Sequence, residues 1–184
     1  MFIDKTETYI LNIGELTKRK QRNKLLKLLR QITFCKSIQH SIKKNNSIKK
    51  NNSIYTVEII LPKQQLPYVI TYLSLHNYTI FQILTSSELD TLFDSTQLPL
   101  SSKRFELQID GLNDAFIKDK VIDIINVLDN TEALSYTFTK NRINLHCSAD
   151  TFSKIIYHIA IRNIDILKAI YFPRVAHKMK SHIS

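Results

Sequence analysis

The stretch IYTVEIILPKQQLPYVITYLSLHNYTIFQILTS, residues 54–86, decides the fold class because two secondary-structure periods follow each other within it. Residues 54–62 are rich in β-branched side chains and end at a proline, which predicts a strand. Residues 64–77 place apolar side chains at helical spacing, and residues 78–86 return to a strand pattern. This segment is therefore predicted to form a β-α-β unit.

The same alternation continues toward the C-terminus. Residues 98–110 predict a loop followed by a strand, residues 114–130 a helix, and residues 132–148 one or two strands. Residues 151–172 predict a long helix that ends at a proline. Together the elements predict an α+β fold, a split βαβ (ferredoxin-like) sandwich with a basic helical N-terminal extension and a C-terminal helix.

The formal net charge of +10 is concentrated at the two ends of the chain. Residues 1–54 contain 13 Lys and Arg against three acidic residues, whereas residues 55–171 contain 10 against 13. This division predicts a basic N-terminal helical arm and loop at 1–54, an α+β body at 55–172 and a basic tail at 173–184.

The arm combines an amphipathic helix with a lysine-rich repeat. Residues 15–32 place four apolar side chains at helical spacing among seven cations, and the hexapeptide Ser-Ile-Lys-Lys-Asn-Asn occurs twice in residues 41–52, where a loop is predicted. Cations at this density repel each other unless an anion lies nearby. A polyanion releases its condensed counterions into solution when such cations replace them, which favours RNA as the partner. The candidate RNA-binding residues are Lys18, Arg19, Lys20, Arg22, Lys24, Lys27, Arg30, Lys43, Lys44, Lys49, Lys50, Lys103, Arg104, Arg174, Lys178 and Lys180.

Two other partners fit the same pattern. An anionic membrane surface could bind the arm as a basic amphipathic helix, with Leu25, Leu28, Leu29 and Ile32 toward lipid. An acidic protein could also neutralise the arm, and a solubilising surface would need no partner. Aromatic side chains in the predicted strands could stack on bases, but helices are predicted to cover them as core residues.

Catalytic and metal-binding patterns are weak. Only two glycines occur, and neither belongs to a phosphate-binding loop. Cys35 and Cys147 lie far apart and are predicted to be buried thiols. Asp119 and Asp123 share a predicted helix face that also carries lysines, which is typical of a solvated surface. We therefore predict no enzymatic activity, no metal, no cofactor and no small-molecule substrate.

Composition also bears on the compartment. Abundant Ile, Asn, Lys, Tyr and Phe indicate an AT-rich genome, such as that of an organelle, a parasite or an endosymbiont. The N-terminus lacks a secretory pattern, and the most apolar segment, 155–172, carries too many charges for a membrane-spanning helix. The prediction is a protein of the mitochondrial matrix that is encoded in the organelle and has no transmembrane segment.

The segment STQLPLSSKRFEL, residues 95–107, resembles a motif of the universal small-subunit ribosomal protein family ten. Leu98 to Lys103 follow the order of that family's Leu-Pro-Leu-Pro-Thr-Lys run, KVIDIINVLDNTEAL (120–134) is similar to its next motif, and RINLH (142–146) stands where its last strand lies. The similarity in order covers residues 55–148. A second, fainter resemblance links residues 57–81 to family eight of the same subunit.

The resemblance implies a protein without catalytic activity that packs among ribosomal head proteins and rRNA. The loop at 96–104, with Lys103 and Arg104, would reach into the RNA or a neighbouring protein. The predicted function is therefore that of a structural constituent of a mitochondrial small ribosomal subunit. The competing predictions are a non-catalytic peripheral or assembly subunit of a membrane-bound organellar complex, and a nucleic-acid enzyme that uses the carboxylates.

Overall fold

A computed structural model describes residues 5–35, 38–46, 53–94, 103–129 and 134–172, which form a mixed α+β structure around one eight-stranded antiparallel sheet. Its strands are β1 (Thr6–Ile13), β2 (Gln39–Asn46), β3 (Ser53–Pro62), β4 (Ile80–Leu84), β5 (Lys103–Ile109), β6 (Ser135–Thr139), β7 (Arg142–Cys147) and β8 (Ile166–Phe172). Its α-helices are α1 (Arg19–Arg30), α2 (Leu66–Leu75), α3 (Ala115–Asp129) and α4 (Ala149–Ile161), with short 3-10 helices at Lys63–Gln65 and Ser86–Thr91. The predicted α+β class is confirmed.

The sheet consists of two units with the same element order, β-α-β-β-α-β. The strand order is β2-β3-β1-β4-β8-β5-β7-β6, so each unit places its fourth strand beside its first, followed by its third and its second. The units join where β4 pairs with β8, with Ile83 opposite Ala169. Helices α2 and α4 also pack against each other across this junction. The two units therefore share one continuous sheet.

Matching turns add to the topological similarity of the two units, which we call repeats. The turn after the first strand of each unit contains a residue with positive φ, Glu15 at 64° and Gly111 at 69°. The turn after the second helix of each unit contains another, Asn77 at 63° and Asn163 at 55°. Positive φ is uncommon for residues other than glycine, asparagine, aspartate and histidine, and here it occurs at matching places in both units.

The first helices of the two units bury equivalent stripes. The buried residues of α1 and its C-terminal turn are Leu25, Leu28, Leu29 and Ile32, and those of α3 at the corresponding spacing are Val121, Ile124, Ile125 and Leu128. All eight residues belong to one core cluster, to which α2 and α4 also contribute. One face of the sheet is therefore covered by four helices.

The predicted N-terminal extension is instead part of the first unit. β1 lies inside the sheet between β3 and β4, and its residues Tyr9, Leu11 and Ile13 are buried. The first copy of the hexapeptide, Ser41–Asn46, lies in β2 and pairs with β3, while the second copy lies outside the described residues. The density of positive charge led to the prediction of a separate basic arm. The cations are compatible with packed elements because they lie only on the exposed sides of those elements.

The prediction of one long helix at residues 151–172 is wrong. Helix α4 ends at Ile161, and residues 166–172 form strand β8 in the middle of the sheet. Asn163 reverses the chain through its positive φ, and the segment that follows is buried from both sides of the sheet at Ile166, Ala169 and Ile170. A buried strand lacks clear alternation, and this is why it resembled a helix.

The connector between the units crosses the sheet face opposite the helices. Within that face Asn12 Nδ2 donates to Gln82 Oε1 at 2.8 Å and to the carbonyl oxygen of Phe93 at 2.9 Å. Glu88 in the connector forms an ion pair with Lys168 of β8. These contacts hold residues 85–94 across the junction of β1, β4 and β8.

Candidate nucleic-acid interface

Helix α1 places its apolar stripe in the core and its cations in solvent. Leu25 and Leu29 are fully buried and Leu28 is nearly so. The cations of the outer surface are Lys18, Arg19, Lys20, Lys24, Lys27 and Arg30, all exposed; we call them the α1 cation surface. The structure thus brings together six of the predicted RNA-binding residues on one helix.

None of these six side chains forms an ion pair with any described residue. The sequence explains this, because no acidic residue occurs between Glu15 and Glu58. The first turn of α1 also lacks an acid that would balance the positive end of the helix dipole. The surface therefore carries uncompensated positive charge.

Spacing along the helix concentrates that charge. Lys20 and Lys24 are four residues apart, and Lys24, Lys27 and Arg30 follow at intervals of three. Like charges at these intervals destabilise a helix by about 0.2–0.5 kcal/mol per pair. The field also reaches His40, whose pKa is lowered by burial and, to a smaller extent, by the charge of Arg30.

Arg22 has a different role from its neighbours. Its Nη1 atom donates to the carbonyl oxygens of Leu16 at 2.8 Å and Thr17 at 2.6 Å, and its guanidinium lies 3.8 Å from the ring centroid of Tyr55. Arg22 therefore fastens the start of α1 to β3, and its donors are partly used within the protein.

The two lysines of β2 are separated by the sheet. Lys44 pairs with Tyr55, and because Arg22 stacks on that ring, Lys44 lies on the same side of the sheet as α1. Lys43 points to the opposite side, where its Nζ atom is 3.6 Å from Oε1 of Glu58. Of the two, Lys44 can extend the α1 cation surface.

Among the described residues, the other two predicted cations lie away from this surface. Lys103 and Arg104 lie in β5 of the second unit, and Arg104 is on the face opposite the helices, with its guanidinium 5.7 Å from the ring centroid of Phe172. Lys49, Lys50, Arg174, Lys178 and Lys180 lie outside the described residues.

An aromatic cluster beside α1 was missed by sequence reasoning. It consists of Phe34, Tyr68, Tyr72 and His76, with ring centroids 6.2 Å apart for Phe34–Tyr68, 6.0 Å for Phe34–Tyr72 and 4.7 Å for Tyr72–His76. Phe34 is 44% exposed and Tyr68 is 50% exposed. The four-residue spacing of Tyr68, Tyr72 and His76 on one helix was the signal that could have revealed it.

The aromatic residues predicted on strands differ from this cluster because they pack against the core. Phe105 is 1% exposed and stacks on Phe152 of α4 at 4.1 Å between ring centroids. Tyr136 and Phe138 pack against the core on the side of Ile143 and Leu145. Phe105 is therefore a core residue covered by a helix, as predicted, whereas Tyr136 and Phe138 are only partly buried.

Helix α3 provides an internal comparison for α1. It carries three aspartates, Asp119, Asp123 and Asp129, and only two lysines, Lys118 and Lys120. The Nζ atoms of these lysines lie over aromatic rings, 5.4 Å from the centroid of Phe138 and 4.1 Å from that of Phe116. The equivalent helices α1 and α3 therefore differ in surface charge: α1 exposes cations, whereas α3 carries both aspartates and lysines.

The carboxylates of α3 do not form a recognisable site. Asp119 and Asp123 are exposed. Among the described residues, no group of three or more His, Cys, Asp and Glu side chains is arranged to hold a metal ion. Also within the described ranges, no helix has the length and apolar character needed to cross a bilayer.

No protein-family model matches the chain, and no curated protein matches it either.

Proposed function

We propose that this chain is a non-catalytic RNA-binding protein, a structural constituent of a mitochondrial small ribosomal subunit. In this proposal the α1 cation surface contacts phosphates of rRNA, and the remainder of the molecule packs against neighbouring ribosomal proteins. The observation that carries the proposal is that six exposed cations on one helix have no acidic partner among the described residues.

Phosphate explains a surface that is otherwise unfavourable. The cations weaken α1 by mutual repulsion, and an anionic partner would offset that cost. A polyanion supplies that compensation, because each cation that reaches a phosphate releases a condensed counterion. Contacts of this kind position a protein on RNA without reading its sequence, as expected of a structural constituent.

RNA is favoured over a lipid surface by the placement of the apolar stripe. A helix that binds in a membrane interface inserts its apolar side chains between lipids. Leu25, Leu28 and Leu29 are instead packed in the protein core. An anionic membrane would therefore be bound by electrostatic attraction alone. Phosphate contacts with RNA require only the exposed cations of the helix.

We also propose that each unit is a split βαβ, ferredoxin-like module. The order of fourth, first, third and second strand in both repeats supports this assignment. The segment similar to ribosomal family ten, residues 55–148, begins in β3 of the first unit and ends beyond β7 of the second. The ribosomal proposal therefore depends on the cations more than on that resemblance.

The experiment is a titration of fluorescein-labelled RNA at several salt concentrations, followed by fluorescence anisotropy. The test variant replaces Lys20, Lys24, Lys27 and Arg30 by Gln, which preserves helix propensity. The control variant, Lys118→Gln/Lys120→Gln, changes the equivalent helix of the second unit.

We expect the four-site variant to reduce the slope of log Kobs against log[salt] by about 3, because each lost phosphate contact contributes about 0.7–0.9. The α3 variant should keep the slope of the unaltered protein. Binding that is insensitive to salt, or an unchanged slope in the four-site variant, would refute phosphate contact by α1. Stronger binding to anionic vesicles than to RNA would favour the membrane alternative.

A further inference from the structure

The aromatic cluster and the α1 cation surface lie next to each other in the first unit. We propose that the aromatic cluster is a stacking site for an unpaired base of the RNA whose phosphates lie on α1. This inference rests on the proposed function and extends it, because it specifies single-stranded or looped RNA at this end of the helix.

The rings are arranged so that they remain available. Tyr68 is inclined by 55° to Phe34, and Tyr72 meets Phe34 at 71° and His76 at 68°. None of these pairs is stacked face to face. Because Phe34 and Tyr68 are also about half exposed, an incoming base can stack on an aromatic face, an interaction that any base can make.

The distance between the two surfaces suits one strand of RNA. Phe34 follows Arg30 by four residues, so their Cα atoms lie within about 14 Å of each other. Phe34 then contacts Tyr68 of α2 and extends the surface onto the next helix. A strand whose phosphate lies on Arg30 can therefore place a nearby base on the cluster.

The second unit shows that neither surface is required by the fold. At the positions equivalent to Tyr68, Tyr72 and His76, the repeat has Lys154, His158 and Arg162. Lys154 there pairs with Asp150 at 2.9 Å. The four-ring aromatic cluster thus occurs in the repeat that contains the α1 cation surface, whereas α4 carries basic side chains at the equivalent positions. This coincidence favours a nucleotide, which needs both, over an apolar protein partner.

The experiment compares three fluorescein-labelled probes of equal length: a single-stranded RNA, the same strand with abasic sites, and an RNA duplex. The test variant is Phe34→Leu/Tyr68→Leu, with Tyr68→Leu alone as a milder form, and circular dichroism verifies folding. The control is Phe116→Leu, which removes an aromatic ring that is 65% exposed on α3.

We expect the double variant to bind the single-stranded RNA about tenfold more weakly, because stacking of one base contributes on that scale. Its affinity for the abasic strand and the duplex, and its salt slope, should equal those of the unaltered protein. Phe116→Leu should bind all three probes normally.

Two results would overturn the stacking site: unchanged affinity for single-stranded RNA, as expected if the cluster docks a protein, or an equal loss for the abasic strand. The four-site α1 variant is measured in parallel. If that variant alters the salt slope while the aromatic variant changes nothing, the stacking site fails and phosphate binding stands. If the four-site variant leaves the salt slope unchanged, the proposed function itself fails.

Discussion

Individual cations of this protein differ in role according to their partners. Arg22 donates to two backbone carbonyl groups and covers Tyr55, so its substitution would affect folding as well as binding. Lys43 is offset by Glu58 on the other side of the sheet. Lys24 and Lys27 have no such contacts within the part of the chain that the structure describes, and they are the better probes of RNA binding. Charge in the sequence indicated all of them, but only the geometry separates them.

Glu88 is the acidic residue whose ionisation should matter most for stability. Burial alone would raise its pKa, but hydrogen bonds from Lys168, Thr85 and Ser87 outweigh burial and lower the pKa to about 2. A pKa that is lower in the folded state means that the carboxylate stabilises the fold above about pH 4.5. That contribution is lost as the pH falls from about 4.5 toward 2.

We predict that Glu88→Gln lowers the free energy of unfolding by about 2 kcal/mol at pH 7. The difference from the unaltered protein should shrink as the pH falls through this window. Urea unfolding at pH 7, 4.5 and 2.5 measures it. Asp90→Asn, in the same 3-10 helix and exposed, is the control and should have little effect. A Glu88→Gln penalty that is constant with pH would contradict the role of the ion pair.

At the scale of elements, the like charges of α1 lower the stability of that helix. Lys24 lies four residues after Lys20 and three before Lys27, so Lys24→Glu replaces two repulsive pairs with two attractive ones. We predict that this variant raises the free energy of unfolding by about 1 kcal/mol at low salt. The same change should weaken RNA binding several-fold. Thermal unfolding and fluorescence anisotropy measure the two effects.

The matched change in the second repeat should act in the opposite direction. Lys120→Glu removes the contact of its ammonium group with the ring of Phe116 and adds a negative charge three residues before Asp123. We expect it to destabilise the protein without weakening RNA binding. Stabilisation by both changes, or weaker RNA binding in both, would contradict the distinction between the two helices.

Elements with one clear period could be predicted from the sequence. Strand β3, helices α2 and α3, and the two strands around Lys140 and Asn141 lie close to their predicted positions. Strand β8 could not, because it is buried at the centre of the sheet and has no polar alternation. The strand character of β2 was hidden by its lysines and asparagines, which alternate between two partly exposed faces.

At the scale of the molecule, the two similar units differ in their surfaces. The first unit contains the aromatic cluster and six cations with no acidic partner among the described residues, whereas the second contains a helix with mixed charge. The connector and the pairing of β4 with β8 hold the units together. We expect the second unit to face neighbouring proteins.

The structural similarity of the two units was not evident from the sequence. Equivalent positions retain burial but not identity, as in Leu25 and Val121 or Leu29 and Ile125. The positive φ is supplied by Glu15 in one repeat and by Gly111 in the other. The paired strands β2 and β3 are also longer than β6 and β7. The number of residues that separates equivalent positions of the two repeats therefore changes along the chain. The two units are therefore alike in burial and backbone conformation but not in residue type.

The most direct test of the central claim is sedimentation with mitochondrial small ribosomal subunits through a sucrose gradient. The unaltered protein and the Lys118→Gln/Lys120→Gln control should both travel with the subunit at low salt and be released as salt is raised. The variant with Lys20, Lys24, Lys27 and Arg30 changed to Gln should remain at the top of the gradient. The account would be contradicted if the unaltered protein stayed at the top, or if the four-site variant sedimented with the subunit as firmly as the control.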